Sequence, residues 1–185
     1  DFLDKKRRFF PRFYFLSDPG EFLASLRHPI DPVCFGTDLL EILGNSRDPE
    51  KLQKHIHNCF AGIHTLEIAS SFKSGQRFYE VIGLNSAEGE NVRLNTPVPV
   101  EGDVEHWMTG VEKAMRETLQ KLLHHTNKEA PKATQKKSLL EAWVKGNIVQ
   151  VLVTSGQIAW TLKCQAALND QKDKKAALKI GRAHV

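Results

Sequence analysis

Apolar positions fall at helical spacing in the early part of the chain, and beyond Gly62 the period changes. Residues 1–8 are charged and read as the end of a helix whose body lies upstream. Phe9 to Leu16 then place aromatic residues on both sides of Pro11. Proline excludes a continuous helix there, and aromatics favour a half-buried pleated surface, so an extended, largely buried segment is expected. A short helix is predicted over 38–43, with Thr37 or Asp38 as cap and Gly44 as a left-handed stop. Asp48-Pro49 is a stronger start signal, a cap residue followed by proline at the first helical position. It predicts a helix over 50–60 that ends at Gly62 and is apolar on Leu52, Ile56, Cys59 and Phe60.

Short strands are predicted around Ile63, Leu66 and Ile68, over 78–84, and around Val92 and Leu94. The polar, glycine-containing run 85–91 between the last two predicts a β-hairpin, and Pro97 and Pro99 are expected to end the sheet. Asp103 then caps a long amphipathic helix reaching about His125, with Trp107, Val111, Ala114, Met115, Leu119 and Leu122 along one face. A polar loop over 127–137 leads to a capping box at Ser138 and Glu141. The last helix is predicted from 139 to about 168. Trp143, Ile148, Val151, Ile158, Trp160 and Leu162 are its apolar positions, and Gly146 and Gly156 are candidate bends. No internal repeat is present. The fold class these elements define is α+β, mainly α: amphipathic helices packed around a small antiparallel β-hairpin or sheet.

Composition changes this picture little. The 185 residues can bury one core, and 41% hydrophobic with 26% charged residues is ordinary globular usage. The net charge of +4 is a mild excess, much of it in Lys5-Lys6-Arg7-Arg8 and in 172–175. The run of four cations beside aromatics is no nucleic-acid signature, because those aromatics flank a proline and read as core. Cys34, Cys59 and Cys164 are odd in number and widely spaced, which suits reduced thiols. The longest apolar stretch, around Ile148 to Val153, falls far below the ~20 residues of a bilayer span, and no signal peptide is present. The chain opens at Asp1 in mid-pattern and reads as an excerpt from something longer.

Candidate chemistry is sparse. No Gly-Lys dipeptide occurs, so a phosphate loop with its lysine is missing, and Gly83 and Gly89 flank a hairpin turn without dinucleotide-loop context. His55 and His57, like His57 and Cys59, are two apart on a predicted helix and face different sides. His124 and His125 are adjacent at a helix end, and Glu88 and Glu90 sit in a turn. Solvated side chains are the expected state of these histidines and carboxylates. No catalytic, cofactor-binding or metal residue is assigned.

One resemblance organises the rest. Phe10-Pro11-Arg12-Phe13-Tyr14-Phe15 resembles the FPRFYF signature of dynein heavy chains. Residues 38–46, Lys51-Leu52-Gln53-Lys54-His55 and Cys59-Phe60-Ala61-Gly62 are similar to the segment that follows it. Ser86-Ala87-Glu88-Gly89-Glu90 resembles the family's Ser-x-Glu-Gly-Glu turn, and residues 111–116 and 157–160 fit later helices. These blocks keep family order, and the wording of 44–46 and 51–55 is nearer the cytoplasmic type. The resemblance implies a place over 1–179 in the elongated helical linker ahead of the AAA+ ring. It implies no cofactor in this stretch, with ATP and Mg2+ bound in the parent ring. Implied partners are that ring, the intermediate, light intermediate and light chains, and microtubules, with no nucleic acid and no membrane insertion, in the cytoplasm and cytoskeleton. The alternative reading is a non-motor helical scaffold or adaptor; a small metal-dependent enzyme fits the His and Cys spacing poorly.

Two stretches depart from the family pattern. Residues 20–37 intervene where family members run almost directly on, and deleting them restores family spacing. Pro19 to Phe22 can be encoded by CCA-GGT-GAG-TTT, which contains a splice-donor consensus, and 34–38 by a pyrimidine-rich run ending in ACAG. A retained short intron is expected. Residues 180–185 are what ATCGGAAGAGCACACGTC, a common sequencing adapter, encodes, and they are excluded from fold reasoning.

Overall fold

The structure, a computed structural model, describes residues 2–16, 38–73, 75–133 and 136–169. The readings made for 20–37, for Cys34 and for 180–185 lie outside the described residues. The chain divides into two compact units, Asp1–Thr118 and Leu119–Val185.

The first unit opens with helix α1 (Phe2–Phe9) and a single 3₁₀ turn (Pro11–Phe15). The expected extended segment is therefore a tight helical turn, and only part of it is buried. Pro11 at the first helical position is pre-set for such a turn. Its three-residue period aligns Phe10, Phe13 and Leu16, all buried, while Phe9, Tyr14 and Phe15 point outward and are exposed.

Helices α2 (Asp38–Gly44) and α3 (Pro49–Cys59) follow. Gly44 belongs to α2 itself and is not the left-handed stop expected of it. Asn45 ends the helix instead: its backbone N–H and its side-chain amide both donate to the Glu41 carbonyl, at 3.0 and 2.9 Å. Asp48 and Pro49 open α3 as read, yet the Asp48 carboxylate makes no capping bond and faces Lys51 at 3.3 Å. Beyond Phe60, Gly62 takes the left-handed backbone, φ 84°, that ends this helical region.

Strands β1 (Thr65–Lys73), β2 (Gln76–Asn85) and β3 (Asn91–Pro99) form an antiparallel sheet in sequence order. Sequence reasoning found the β2–β3 hairpin and missed the tighter one, in which Lys73 pairs Gln76 around Gly75, φ 78°. Pro97 and Pro99 do not end the sheet. They lie within β3, an edge strand, where a missing N–H leaves no partner unpaired.

Helix α4 (Val104–Ala133) begins in the first unit, and α5 (Lys137–Lys145) and α6 (Val149–Asn169) belong to the second. The loop expected over 127–137 is largely helix. Lys128, Glu129 and Ala130 are good helix formers, and His125 meets Glu129 one turn on at 3.2 Å. The capping box is also corrected: Lys136 is the N-cap of α5, with no side-chain cap bond, and Ser138 is already inside the helix. The single last helix is broken at Gly146, where Asn147 donates to the Trp143 carbonyl at 2.8 Å and accepts from the buried Thr126 hydroxyl at 2.7 Å. Gly156 lies within α6. The result is mainly α with one small antiparallel sheet, the expected α+β class.

Candidate functional site

The blocks quoted from the first 116 residues, the Ser86–Glu90 turn excepted, meet in one place. Phe10 packs edge-on against Phe13, centroids 4.9 Å apart, and lies 6.1 Å from Phe60; Leu39, Ile42, Leu52 and Ile56 complete the inner layer. Arg12 closes it from the polar side. Its guanidinium donates to the Cys59 carbonyl at 3.1 Å, stacks 4.8 Å from the Phe60 ring centroid and pairs with Glu112 at 3.4 Å. One side chain thus ties the 3₁₀ turn, the end of α3 and the body of α4. Burial alone would raise the Glu112 carboxyl, but hydrogen bonds from Arg12 and Arg116 outweigh it, and the group is held below its ordinary range. Arg116 reaches Glu112 from one turn on, at 2.6 Å.

A second polar cluster joins α2 to α3. Glu41 pairs with Lys54 at 2.6 Å, and the buried His55 ring lies between Glu41, at 3.3 Å, and Asp38, at 3.6 Å. The Lys54 hydrogen bond holds the Glu41 carboxyl below its usual range. His55 is therefore not the solvated histidine expected, whereas His57 is exposed on another side of the same helix. Gln53 donates to the Leu66 carbonyl at 2.9 Å and accepts its N–H at 2.8 Å. That pair of bonds mimics a neighbouring strand and covers part of the open edge of β1.

The Ser86–Glu90 turn is explained by its own backbone. Gly89 has φ 90°, the Glu90 N–H donates to the Ser86 hydroxyl at 3.2 Å, and the Ser86 N–H donates to the Glu90 carbonyl at 2.9 Å. Serine and glycine are thus needed for the turn, and Glu88 is left exposed.

Lys6 sits between Asp103 and Glu105 at the start of α4, 2.9 Å from the first and in contact with the second. Hydrogen bonds to both raise the Lys6 ammonium, and Lys6 in turn lowers the Asp103 carboxyl. Ligand atoms of Asp103, Glu105 and His106 lie within 4.8 Å of one another, spacing a cation could use. The ammonium already occupies that role, and a helix N-terminus carries partial positive charge, so the local field opposes a second cation. Sequence reading missed this cluster because Lys6 is 97 residues from Asp103.

Cys59 is buried and unpaired, its thiol pushed up to about 12 by burial, and Cys164 is half-buried and free. His124 and His125 are exposed on α4. Among the described residues, no helix is long and apolar enough to cross a membrane.

A helix-and-sheet body clamped by an arginine at an FPRFYF turn defines a structural module. Comparison with known proteins gives it a family. A family model described as dynein heavy chain, N-terminal region 2, matches residues 36–126. Dynein axonemal heavy chain 2 of Mus musculus is 38% identical over 177 residues, 94% of this chain and 4% of that protein. The dynein-1-beta heavy chain of the flagellar inner arm I1 complex of Chlamydomonas reinhardtii is 37% identical over 180 residues, 97% of this chain and 4% of the relative. The cytoplasmic dynein heavy chain of Dictyostelium discoideum is 30% identical over 171 residues, 91% of this chain and 3% of the relative. The chain belongs to the dynein heavy chain family, in its N-terminal region, and spans 3–4% of the length of these relatives. Axonemal and cytoplasmic types both match, so the wording of 44–46 and 51–55 does not separate them.

Proposed function

We propose that this chain is part of the linker of a dynein heavy chain, a lever that transmits force and does no chemistry itself. A lever must resist bending away from its hinge, and close-packed interiors transmit strain. The observation that carries this reading is the Arg12 clamp, which joins the 3₁₀ turn, α3 and α4 over one aromatic core. ATP and Mg2+ would then be bound by the AAA+ ring of the parent chain, with that ring, the intermediate, light intermediate and light chains, and microtubules as partners. The setting would be the cytoplasm and cytoskeleton.

The polypeptide alone is expected to neither bind nor hydrolyse ATP; saturable nucleotide binding in calorimetry would contradict the proposal. In the full-length heavy chain, Arg12→Ala is expected to slow microtubule gliding while basal ATP turnover persists, because a softened arm loses stroke and not catalysis. Equal losses of both would count against a lever.

The adaptor reading draws on Val149, Val153, Trp160 and Leu162, apolar side chains exposed on α6. A gene whose downstream sequence lacks repeated phosphate-binding loops would favour it. We further propose that 20–37 is a retained intron and 180–185 an adapter translation. Genomic and spliced-transcript sequences decide both: an uninterrupted exon present in every transcript, or an assembled gene encoding the last six residues, refutes the respective idea.

A further inference from the structure

The outer end of the β1–β2 hairpin has no role in the core. Strand β3 pairs outward only to Glu80–Pro99, with one more bond from the Val100 N–H to the Tyr79 carbonyl. Beyond that point the hairpin is a two-stranded ribbon, a form that is marginal in water unless something packs on it. Residues 70–72 and 75–78 are all exposed, and they include two aromatics, Phe72 at 70% and Phe78 at 36%. Phe72 pairs directly across the ribbon with Arg77. The Arg77 guanidinium lies 5.8 Å from the Phe72 ring centroid, and it donates to the Tyr79 hydroxyl at 3.4 Å. Between Glu67 and Glu80 the sequence holds Lys73 and Arg77 and no carboxylate, and the negative charges that reach Arg77 from elsewhere in the chain are Glu50 and Asp48.

We propose that this tip docks a carboxylate recessed among apolar side chains elsewhere in the same heavy chain. A guanidinium set against the Phe72 ring and bonded to the Tyr79 hydroxyl has already given up part of its rotamer freedom, and its planar fork matches a carboxylate. Aromatic and arginine side chains at the centre of a contact are the usual anchors of interfaces, and the guanidinium itself selects an acidic counterpart. The partner is assigned to the same polypeptide because this chain is only 4% of a relative such as the mouse axonemal protein, and a tethered surface competes at high effective concentration. The inference rests on the reading of the chain as a heavy-chain stretch. That reading is tested independently by the downstream gene sequence, so the two can fail separately.

The test places a photoreactive benzoylphenylalanine at Phe72 in the full-length heavy chain and maps its crosslinks by mass spectrometry, with and without Arg77→Glu. One dominant crosslink within the same polypeptide is expected, to a segment carrying Asp or Glu among apolar residues. Its yield is expected to fall roughly tenfold in the Arg77→Glu background, the scale of a lost anchor. Both positions are exposed, so unfolding midpoints should not move, which separates lost docking from lost folding. Crosslinks to a separate subunit, no defined crosslink, or a yield indifferent to Arg77→Glu overturns the proposal.

Discussion

Trp107 is only 3% exposed, and its indole N–H donates to the Ser46 carbonyl at 2.9 Å, so one side chain fills the core and anchors the loop after α2. Trp107→Ala removes both functions and is expected to lower stability by about 3–5 kcal/mol in denaturant titration; a loss below about 1 kcal/mol would contradict the packing. Glu112 and Lys6 contribute to the pH response, and Glu41 and Asp103, also held low, act in the same direction as Glu112. The Glu112 carboxyl is depressed below its ordinary 4.5, so its stabilisation is present above that value and is lost as pH falls through the folded-state value. The Lys6 ammonium is raised above 10.5, so its contribution holds below that value and disappears as pH rises through the folded-state value. Urea midpoints are therefore expected to drop on the acid side, and less steeply in Arg12→Gln. A third expectation concerns Cys59, whose burial keeps it a thiol. Iodoacetamide should label it only on unfolding, with Cys164 modified first in peptide maps.

At the scale of elements, breaks and turns were the places where neighbours decided. The break between α5 and α6 depends on Asn147, whose amide serves Trp143 and the fully buried Thr126 hydroxyl. Asn147→Ala leaves that hydroxyl unpaired and is expected to destabilise the second unit by about 1–3 kcal/mol, measured by thermal unfolding. At the Ser86–Glu90 turn, Gly89→Ala is strained at φ 90° and is expected to lose about 1 kcal/mol, while Glu88→Ala, fully outside the turn's bonds, should be near neutral. The helix starts at Pro49 and after Asp103, the stop near Gly62 and the β2–β3 hairpin were legible because each is set by local backbone preference. The continuation of α4 through 127–133 was not, since polar residues suit loops and solvated helices alike.

For the whole molecule, the apolar spacing of α3 and the first half of α4 located part of the first unit's core: Leu52, Ile56, Cys59, Phe60, Trp107 and Val111 are all buried. The second unit departs from its pattern, with Val151 buried but Trp160 and Leu162 exposed. A helix with apolar residues on several sides is one that a larger assembly covers, which accords with the small share of each relative that this chain spans. In the full-length protein, hydrogen exchange along α6 is expected to be slower than in the isolated chain; equal rates would mean that nothing packs there.

By itself the sequence determined most element types, the α+β class and the family, because periodicity, caps and ordered motifs are properties of neighbouring residues. Only the tertiary structure decided what the motifs are for. Arg12, Glu112, Gln53, His55 and Lys6 find partners from 13 to 100 residues away. Such distances carry no local signal, and the partners meet only when packing of the core brings the elements together.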